Sequence, residues 1–194
     1  MSESASTQRS ALLIMDVQQG IVERYAEGDA YVRRLSDVLA AARSAGIRVI
    51  YVTIRFREGY PEISSRNRSF STMKQNGRFQ MTDPATQVHP AIAPEPGEVV
   101  VTKLRVGAFT GSDLEVILRA GNIDTLVLTG IATSGVVLST VRAAADMDYR
   151  LIVLSDCCAD LDEEVHRVLT EKVFPRQADV MTAQEWMAGL TGGA

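Results

Sequence analysis

The chain has 194 residues, of which 46% are hydrophobic and 23% are charged, and its formal net charge is −4 at pH 7. This length and composition are typical of a globular domain with a buried core, and the charge provides no basic surface of the kind that binds nucleic acid. No apolar run approaches the roughly 18 residues that a membrane-spanning helix needs.

The N-terminal segment and the two cysteines indicate a cellular compartment. Residues 1–10 are polar and lack the hydrophobic centre of a signal peptide, so we expect a disordered tail at 1–10 followed by a single domain over 11–194. Cys157 and Cys158 are adjacent, a spacing at which disulfide geometry is hard to satisfy. Reduced thiols are typical of the cytoplasm, and the sequence therefore predicts a cytoplasmic protein.

Short runs rich in β-branched residues alternate with helical patterns along the chain. In chain order, the predicted strands are residues 11–15, 48–54, 98–102, 125–129, 150–154 and 179–181. The predicted helices cover residues 30–45, 112–121, 135–147 and 163–173, and the second begins with a capping box formed by Ser112 and Glu115. This alternation is typical of a parallel sheet covered on both faces, and it predicts a three-layer, doubly wound α/β fold.

One long segment, residues 55–96, contains no predicted regular element, and connections of that length are usually functional or mobile. Its first part, residues 55–80, has six basic and two acidic side chains. Two interpretations remain open: a solvated loop with scattered charge, or a lid or anion-binding rim over the carboxyl edge of the sheet.

Three features of the sequence follow predicted strands, at the edge where open parallel sheets bind ligands. Asp16 follows the first strand and Lys103 follows the third. The turn at residues 130–136 follows the fourth strand and leads into a helix, so its backbone amides can face a developing anion. Taken singly, each feature is weak, because acids at strand ends often cap helices and lysines there are usually solvated.

In combination and in this order, these features resemble the isochorismatase-like hydrolases. The resemblance runs from Ala11 to Trp186 and is carried by Asp16-Val17-Gln18, Lys103, Phe109, Ser112-Asp113-Leu114, Gly130-Ile131-Ala132-Thr133 and Leu154-Ser155-Asp156-Cys157-Cys158-Ala159. It implies a six-stranded parallel sheet of Rossmann-type order, a non-proline cis peptide at Ala132–Thr133, a homo-oligomer (dimer or tetramer), and an Asp–Lys–Cys triad.

Val136 stands at the position where the resemblance places the nucleophilic cysteine. Valine has no lone pair, so the thioester route is closed, and Ser134, Cys157 and Cys158 are the alternative nucleophiles. The isochorismatase branch of the family also lacks the cysteine and hydrolyses a vinyl ether. That resemblance implies that Asp16 is a general acid and that Lys103 orients the substrate or holds its carboxylate.

Two features of the sequence weigh against that chemistry. A neighbouring ammonium lowers the pKa of an aspartic acid, so burial or the substrate's own charge has to raise the pKa of Asp16. Val136 is also bulkier than the glycine that isochorismatases often carry there, and it would intrude on a cyclohexadiene ring.

The predicted site binds a small, carboxylate-bearing molecule, through Gln18, Arg55, Phe109, Ala132, Thr133, Ser134 and Gly135. Metal-binding relatives carry an acid-x-His motif after the second strand, whereas this chain has Thr53-Ile54-Arg55, and its two histidines are far apart. We therefore expect neither a metal nor another cofactor. Three hypotheses remain: a metal-free hydrolase, a non-catalytic binding or regulatory protein that keeps the pocket, and an amide hydrolase with a displaced nucleophile.

Overall fold

The computed structural model describes residues 9–24 and 28–191. Of the predicted tail at residues 1–10, residues 1–8 lie outside the described part, and Ser10 belongs to the first strand. The sheet has six parallel strands in the order β3-β2-β1-β4-β5-β6, which confirms the predicted α/β fold. The strands are β1 (Ser10–Met15), β2 (Arg48–Ile54), β3 (Val99–Lys103), β4 (Thr125–Ile131), β5 (Arg150–Ala159) and β6 (Asp179–Met181).

Seven α-helices connect or follow these strands within the described residues. They are α1 (Gln19–Val22), α2 (Gly28–Ser44), α3 (Arg68–Gln75), α4 (Leu114–Ala120), α5 (Leu138–Asp146), α6 (Glu163–Val168) and α7 (Ala183–Thr191). A π-helical turn (Thr133–Val137) leads into α5, and another (Leu169–Val173) continues α6. Within the described part of the chain, no helix combines the length and apolar character needed to cross a membrane.

The core occupies both faces of the sheet, which explains why the central strand β1 is apolar from Ala11 to Met15. In β1, Leu13 and Met15 belong to the core beneath α4 and α5, whereas Leu12 and Ile14 belong to the core beneath α2 and α7. Because both faces are covered by helices, every side chain of this strand is buried.

The observed elements differ from the predicted ones mainly at their ends. β1 begins at Ser10, one residue early, and β5 continues to Ala159, five residues beyond its predicted end. The predicted capping box does not form: Asp113 is the N-cap of α4, and the Ser112 hydroxyl donates to the Ala108 carbonyl at 2.6 Å. The longer β5 reflects pairing with β4 beyond a register shift, which local sequence patterns do not report.

The long segment after β2 is more ordered than the sequence predicted, since it contains α3 and two short 3₁₀ turns (Pro84–Thr86 and Pro90–Ile92). The side chain of Asn67 caps α3 by accepting from the Phe70 N–H at 3.1 Å. An apolar cluster attaches the segment to the end of β2; its buried members are Ile54, Phe56, Tyr60, Ile63, Phe70 and Phe79. The expectation of no regular element was wrong because this cluster, rather than helical periodicity, stabilises the segment.

Candidate active site

Asp16 lies directly after β1, at the point where the strand order reverses between β1 and β4, which is where open α/β sheets bind ligands. Its backbone N–H donates to the Val52 carbonyl of β2 at 2.8 Å. Its φ is +58°, in the left-handed region that aspartate tolerates better than most residues. The chain therefore turns sharply at Asp16 while remaining bonded to the sheet.

Asp16 and Lys103 form a buried ion pair, in which Lys103 Nζ lies 3.0 Å from Asp16 Oδ2. Lys103 Nζ also donates to the carbonyls of Arg105 at 2.9 Å and Val106 at 3.1 Å. An ammonium has three hydrogens, and these three contacts use all of them. Lys103, which is 1% exposed, therefore orients Asp16 and closes the loop after β3, and it has no hydrogen left for the substrate carboxylate that the sequence assigned to it.

The carboxyl of Asp16 has the electrostatic setting of a proton donor. Burial raises its pKa, and this effect exceeds the opposing influence of the Lys103 charge and hydrogen bond. The second oxygen, Oδ1, is buried and has no hydrogen-bond partner among the described residues. The sequence did not show whether burial or the neighbouring ammonium has the larger effect on the pKa of Asp16. In the structure the effect of burial is the larger one.

The turn after β4 brings the backbone close to Asp16. Gly130 pairs with Met15, and a Cβ at Gly130 would lie 2.4 Å from the Met15 carbonyl oxygen, so only glycine fits there. The non-proline cis peptide joins Ile131 to Ala132, one bond before the predicted position. β4 extends through Ile131, so the turn begins at the last residue of the strand.

Val136 is almost fully buried and packs with Val137 and Val141 in the core beneath α4 and α5. The last position of the turn is thus filled by an apolar side chain that contacts the protein interior. The structure gives this residue a packing role in the core.

The polar groups of the turn contact the segment that follows β5. The Thr133 hydroxyl lies 2.8 Å from His166 Nδ1, and the Ser134 N–H donates to Asp160 Oδ2 at 2.7 Å. The Gly135 N–H donates to the Ala132 carbonyl at 3.0 Å. Two of the amides that the sequence offered to a substrate anion are therefore already bonded within the protein.

Gln18, predicted to bind substrate, instead connects three segments of the chain. Its Nε2 donates to the carbonyls of Ile54 at 3.1 Å and Thr86 at 2.7 Å, and its Oε1 accepts from the Ile54 N–H at 2.8 Å. The side chain is fully buried. Both amide hydrogens are used, so Gln18 attaches the long segment to the end of β2 and has none to donate to a ligand.

Replacing Gln18 with leucine should lower the free energy of unfolding by about 1–3 kcal/mol, because it leaves buried backbone groups without partners. Urea denaturation measures the change. Gln87→Leu, at an exposed position, is the matched control and should change stability by less than about 0.5 kcal/mol. Equal stability of the two variants would contradict the connecting role of Gln18.

Phe109, also predicted to bind substrate, packs against an aromatic residue of the core. Its ring packs against Tyr149, with 6.1 Å between centroids, and Tyr149 immediately precedes β5, at the opposite edge of the sheet. Its side chain packs against the core beneath α4 and α5, and its contact with a substrate stays a prediction.

Arg55 lies where the sequence predicted, immediately after β2 and next to the strand position at which Ile54 pairs with Lys103. Its Nε is buried and has no partner among the described residues. Burial lowers the pKa of its guanidinium. Arg55 is thus a partly buried cation whose charge no carboxylate in the described residues neutralises.

The two cysteines have the properties of inert thiols. Burial raises the pKa of Cys157 to about 12 and raises the pKa of Cys158 well above its ordinary value. A thiol attacks as its thiolate, so neither side chain is a nucleophile near neutral pH. No group of three or more His, Cys, Asp or Glu side chains within residues 9–24 and 28–191 is arranged to hold a metal ion.

A cavity of about 600 Å³ lies on the other side of the β4 turn, over the end of β5, and its lining includes Tyr31, Arg34, Asp160 and His166. Neither Asp16 nor Lys103 lines it. Burial lowers the pKa of His166 despite the nearby Asp160. The contacts of Asp160 and His166 with the turn were not predicted, because nothing local in the sequence connects residues 160–166 with residues 133–134.

Comparison with known proteins identifies relatives over nearly the whole chain. The profile described as "Isochorismatase domain" matches residues 10–185. An uncharacterised isochorismatase family protein of Bacillus subtilis, YwoC, is 31% identical over 180 residues, covering 93% of each chain. Maleamate amidohydrolase of Pseudomonas putida is 30% identical over 190 residues, covering 94% of this chain and 87% of its own.

One solved structure is similar to this chain in fold as well as in sequence. The isochorismatase family protein of Burkholderia thailandensis superposes with a TM-score of 0.82 at 30% identity, covering 94% of this chain and 96% of its own.

Proposed function

Because the chain belongs to the isochorismatase family of hydrolases, we propose that it hydrolyses a small anionic substrate by proton transfer from Asp16, in a reaction that needs neither a metal nor a nucleophilic side chain. The observation that carries this proposal is the carboxyl of Asp16: Oδ2 is held by Lys103 at 3.0 Å, while Oδ1 is buried without a partner among the described residues. Burial raises the pKa of this carboxyl and so favours the protonated form, from which Oδ1 can donate the proton to a substrate.

A carboxylate-bearing enol ether is the substrate class that this arrangement fits best. Asp16 transfers its proton to the terminal vinyl carbon, which leaves an oxocarbenium ion. Water adds to that ion and returns a proton to the Asp16 carboxylate. The resulting hemiketal breaks its carbon–oxygen bond to release an alcohol and a 2-oxo acid, so that one water is consumed and the acid is regenerated.

Lys103 contributes by position and charge. It fixes the orientation of Asp16 through Oδ2, and its charge stabilises the carboxylate that exists after proton transfer. Its remaining hydrogens hold the Arg105 and Val106 carbonyls, so the loop after β3 stays in one conformation during turnover.

The anionic group of the substrate is assigned to Arg55. A partly buried guanidinium without a counter-ion costs free energy, and a carboxylate on the substrate would supply both the charge and the acceptor for Nε. This places the anionic end of the substrate over β2 and its reacting carbon over β1.

The alternative of amide hydrolysis through a displaced nucleophile has little support from the geometry. The Thr133 hydroxyl lies 2.8 Å from a histidine nitrogen, as a nucleophile requires, but it is Val136 and not Thr133 that stands where the resemblance places the nucleophile. Ser134 is exposed, yet no base contacts its hydroxyl within the described residues. The thiols of Cys157 and Cys158 stay protonated.

The test compares enol ethers with amides. The protein is incubated with a panel of carboxylate-bearing enol ethers that includes isochorismate, and release of the 2-oxo acid is followed through lactate dehydrogenase. Parallel reactions with maleamate and ureidoacrylate are assayed for ammonia. We expect 2-oxo acid from an enol ether, unchanged in Cys158→Ala. Ammonia release in its place would overturn the proposal, and no turnover would favour a non-catalytic binding protein.

The pH dependence of kcat/KM should reveal the protonation state in which Asp16 works. A general acid is active when protonated, so kcat/KM should be constant at low pH and decline as pH rises through the Asp16 pKa, which burial has raised. A rate measured from acidic to alkaline pH checks this. If kcat/KM instead rises with pH as Asp16 ionises, Asp16 acts as a base.

A further inference from the structure

Four buried side-chain nitrogen or oxygen atoms in residues 9–24 and 28–191 lack a hydrogen-bond partner: Asp16 Oδ1, Arg55 Nε, Glu62 Oε2 and Tyr149 Oη. Such atoms are costly, because burial removes their water without a replacement. Tyr149 lies before β5, at the opposite edge of the sheet. Asp16 and Arg55 directly follow β1 and β2, at the edge where the substrate is expected. The proposed reaction uses both of these residues but gives no role to Glu62 Oε2.

Glu62 is connected to the catalytic pair by a short path of hydrogen bonds. Its backbone carbonyl accepts from Arg105 Nη2 at 3.1 Å. The Arg105 carbonyl in turn accepts from Lys103 Nζ at 2.9 Å. Lys103, which pairs with Asp16, is therefore hydrogen-bonded to Arg105, and Arg105 is hydrogen-bonded to Glu62. These contacts keep Glu62 at the carboxyl edge of β3.

The two carboxylate oxygens of Glu62 have different environments. Oε1 pairs with Arg57 Nη1 at 2.5 Å, and the Arg57 side chain is 62% exposed whereas that of Glu62 is 9% exposed. Oε2 is buried. Glu62 thus meets a solvent-exposed cation with one oxygen and leaves the other, which can only accept hydrogen bonds when ionised, without a donor.

We propose that Glu62 is a specificity-determining residue whose Oε2 accepts a hydrogen bond from a hydroxyl or N–H group of the substrate, while Arg55 binds the substrate's anionic group. The substrate class is thereby narrowed to small carboxylates that also carry a hydrogen-bond donor. The inference rests on the proposed function only for the location of the substrate, so it can be tested by binding, without turnover.

Matched benzoates distinguish the proposed hydrogen bond to Glu62 from the proposed binding of the carboxylate by Arg55. Dissociation constants of 3- and 4-hydroxybenzoate and of 3- and 4-methylbenzoate are measured by NMR titration, since each pair differs only in a hydroxyl or a methyl group of similar size. We expect the wild-type protein to prefer one hydroxybenzoate by at least about tenfold, as a hydrogen bond to a charged acceptor implies. In Glu62→Met the preference should be lost, and in Glu62→Gln, which keeps an acceptor, it should be partly retained.

Two variants serve as controls for this measurement. Arg57→Met removes the ion pair to Oε1 but leaves Oε2, so the hydroxyl preference should remain. Arg55→Met should weaken the binding of a hydroxybenzoate and of its matched methylbenzoate by the same factor. An unchanged preference in Glu62→Met, or no saturable binding of any benzoate to the wild-type protein, would overturn the assignment of Glu62. Failure of enol ether hydrolysis alone would overturn the proposed function and leave this result standing.

Discussion

Asp16→Asn is expected to lower kcat/KM by a factor of about 10²–10⁴, the usual contribution of a positioned general acid. Asparagine has nearly the shape of aspartic acid and can still accept a hydrogen bond from Lys103 through its amide oxygen. It has no acidic proton to transfer from the position of Oδ1. The loss should therefore appear in kcat with little change in KM, measured on whichever enol ether the protein turns over.

The control for this result is the same chemical change at an exposed aspartate. Asp37 lies on the outer face of α2 and is exposed, so Asp37→Asn should retain full activity. Circular dichroism and thermal unfolding would establish that Asp16→Asn is folded. Activity in folded Asp16→Asn within about threefold of wild type would exclude Asp16 as the acid and favour a different reaction.

Lys103→Met should have the largest effect on stability, lowering the free energy of unfolding by about 3–5 kcal/mol, as expected when one partner of a buried ion pair is removed. Methionine preserves most of the volume of lysine but cannot donate to Asp16 Oδ2 or to the carbonyls of Arg105 and Val106. Three acceptors would then lose the same donor. Denaturant unfolding measures the change, and Lys172→Met, at an exposed position, is the matched control.

The double variant Asp16→Asn, Lys103→Met determines how much of that loss belongs to the ion pair. With both charges absent, the cost of an isolated buried carboxylate disappears. The double variant should therefore be more stable than the sum of the two single changes predicts, by about 0.5–3 kcal/mol, the range for residues in direct contact. Strict additivity would mean that the carbonyl contacts of Lys103, rather than its contact with Asp16, stabilise the fold.

The structure also changes the role of lysine from that expected from the sequence. A lysine at a strand end is free, by residue type alone, to bind a substrate carboxylate. Its contacts with Asp16, Arg105 and Val106 use its three hydrogens, whereas the buried Nε of Arg55 has no partner among the described residues. The arginine-rich segment contributes this residue, whereas Arg57 pairs with Glu62 and the Arg78 guanidinium donates to the Gly20 carbonyl.

The sequence alone determined the alternation of strands and helices. It also determined the acid after β1, the lysine at the end of β3 and the valine in the turn after β4. These features depend on residue type and local periodicity, which a parallel sheet converts directly into positions along one edge. The same reasoning places Arg55 at that edge. It could not place Phe109, because the direction taken by a loop residue depends on the core against which it packs.

The tertiary structure alone decided which polar groups remain available for chemistry. Gln18 is bonded to residues 54 and 86, and Ser134 is bonded to residue 160, and these pairings join parts of the chain that no local pattern connects. The pKa of Asp16 likewise depends on how completely distant segments exclude water from it, against the pull of one nearby ammonium. Availability and proton affinity are properties of the packed environment, so they follow from the fold and not from the order of residues.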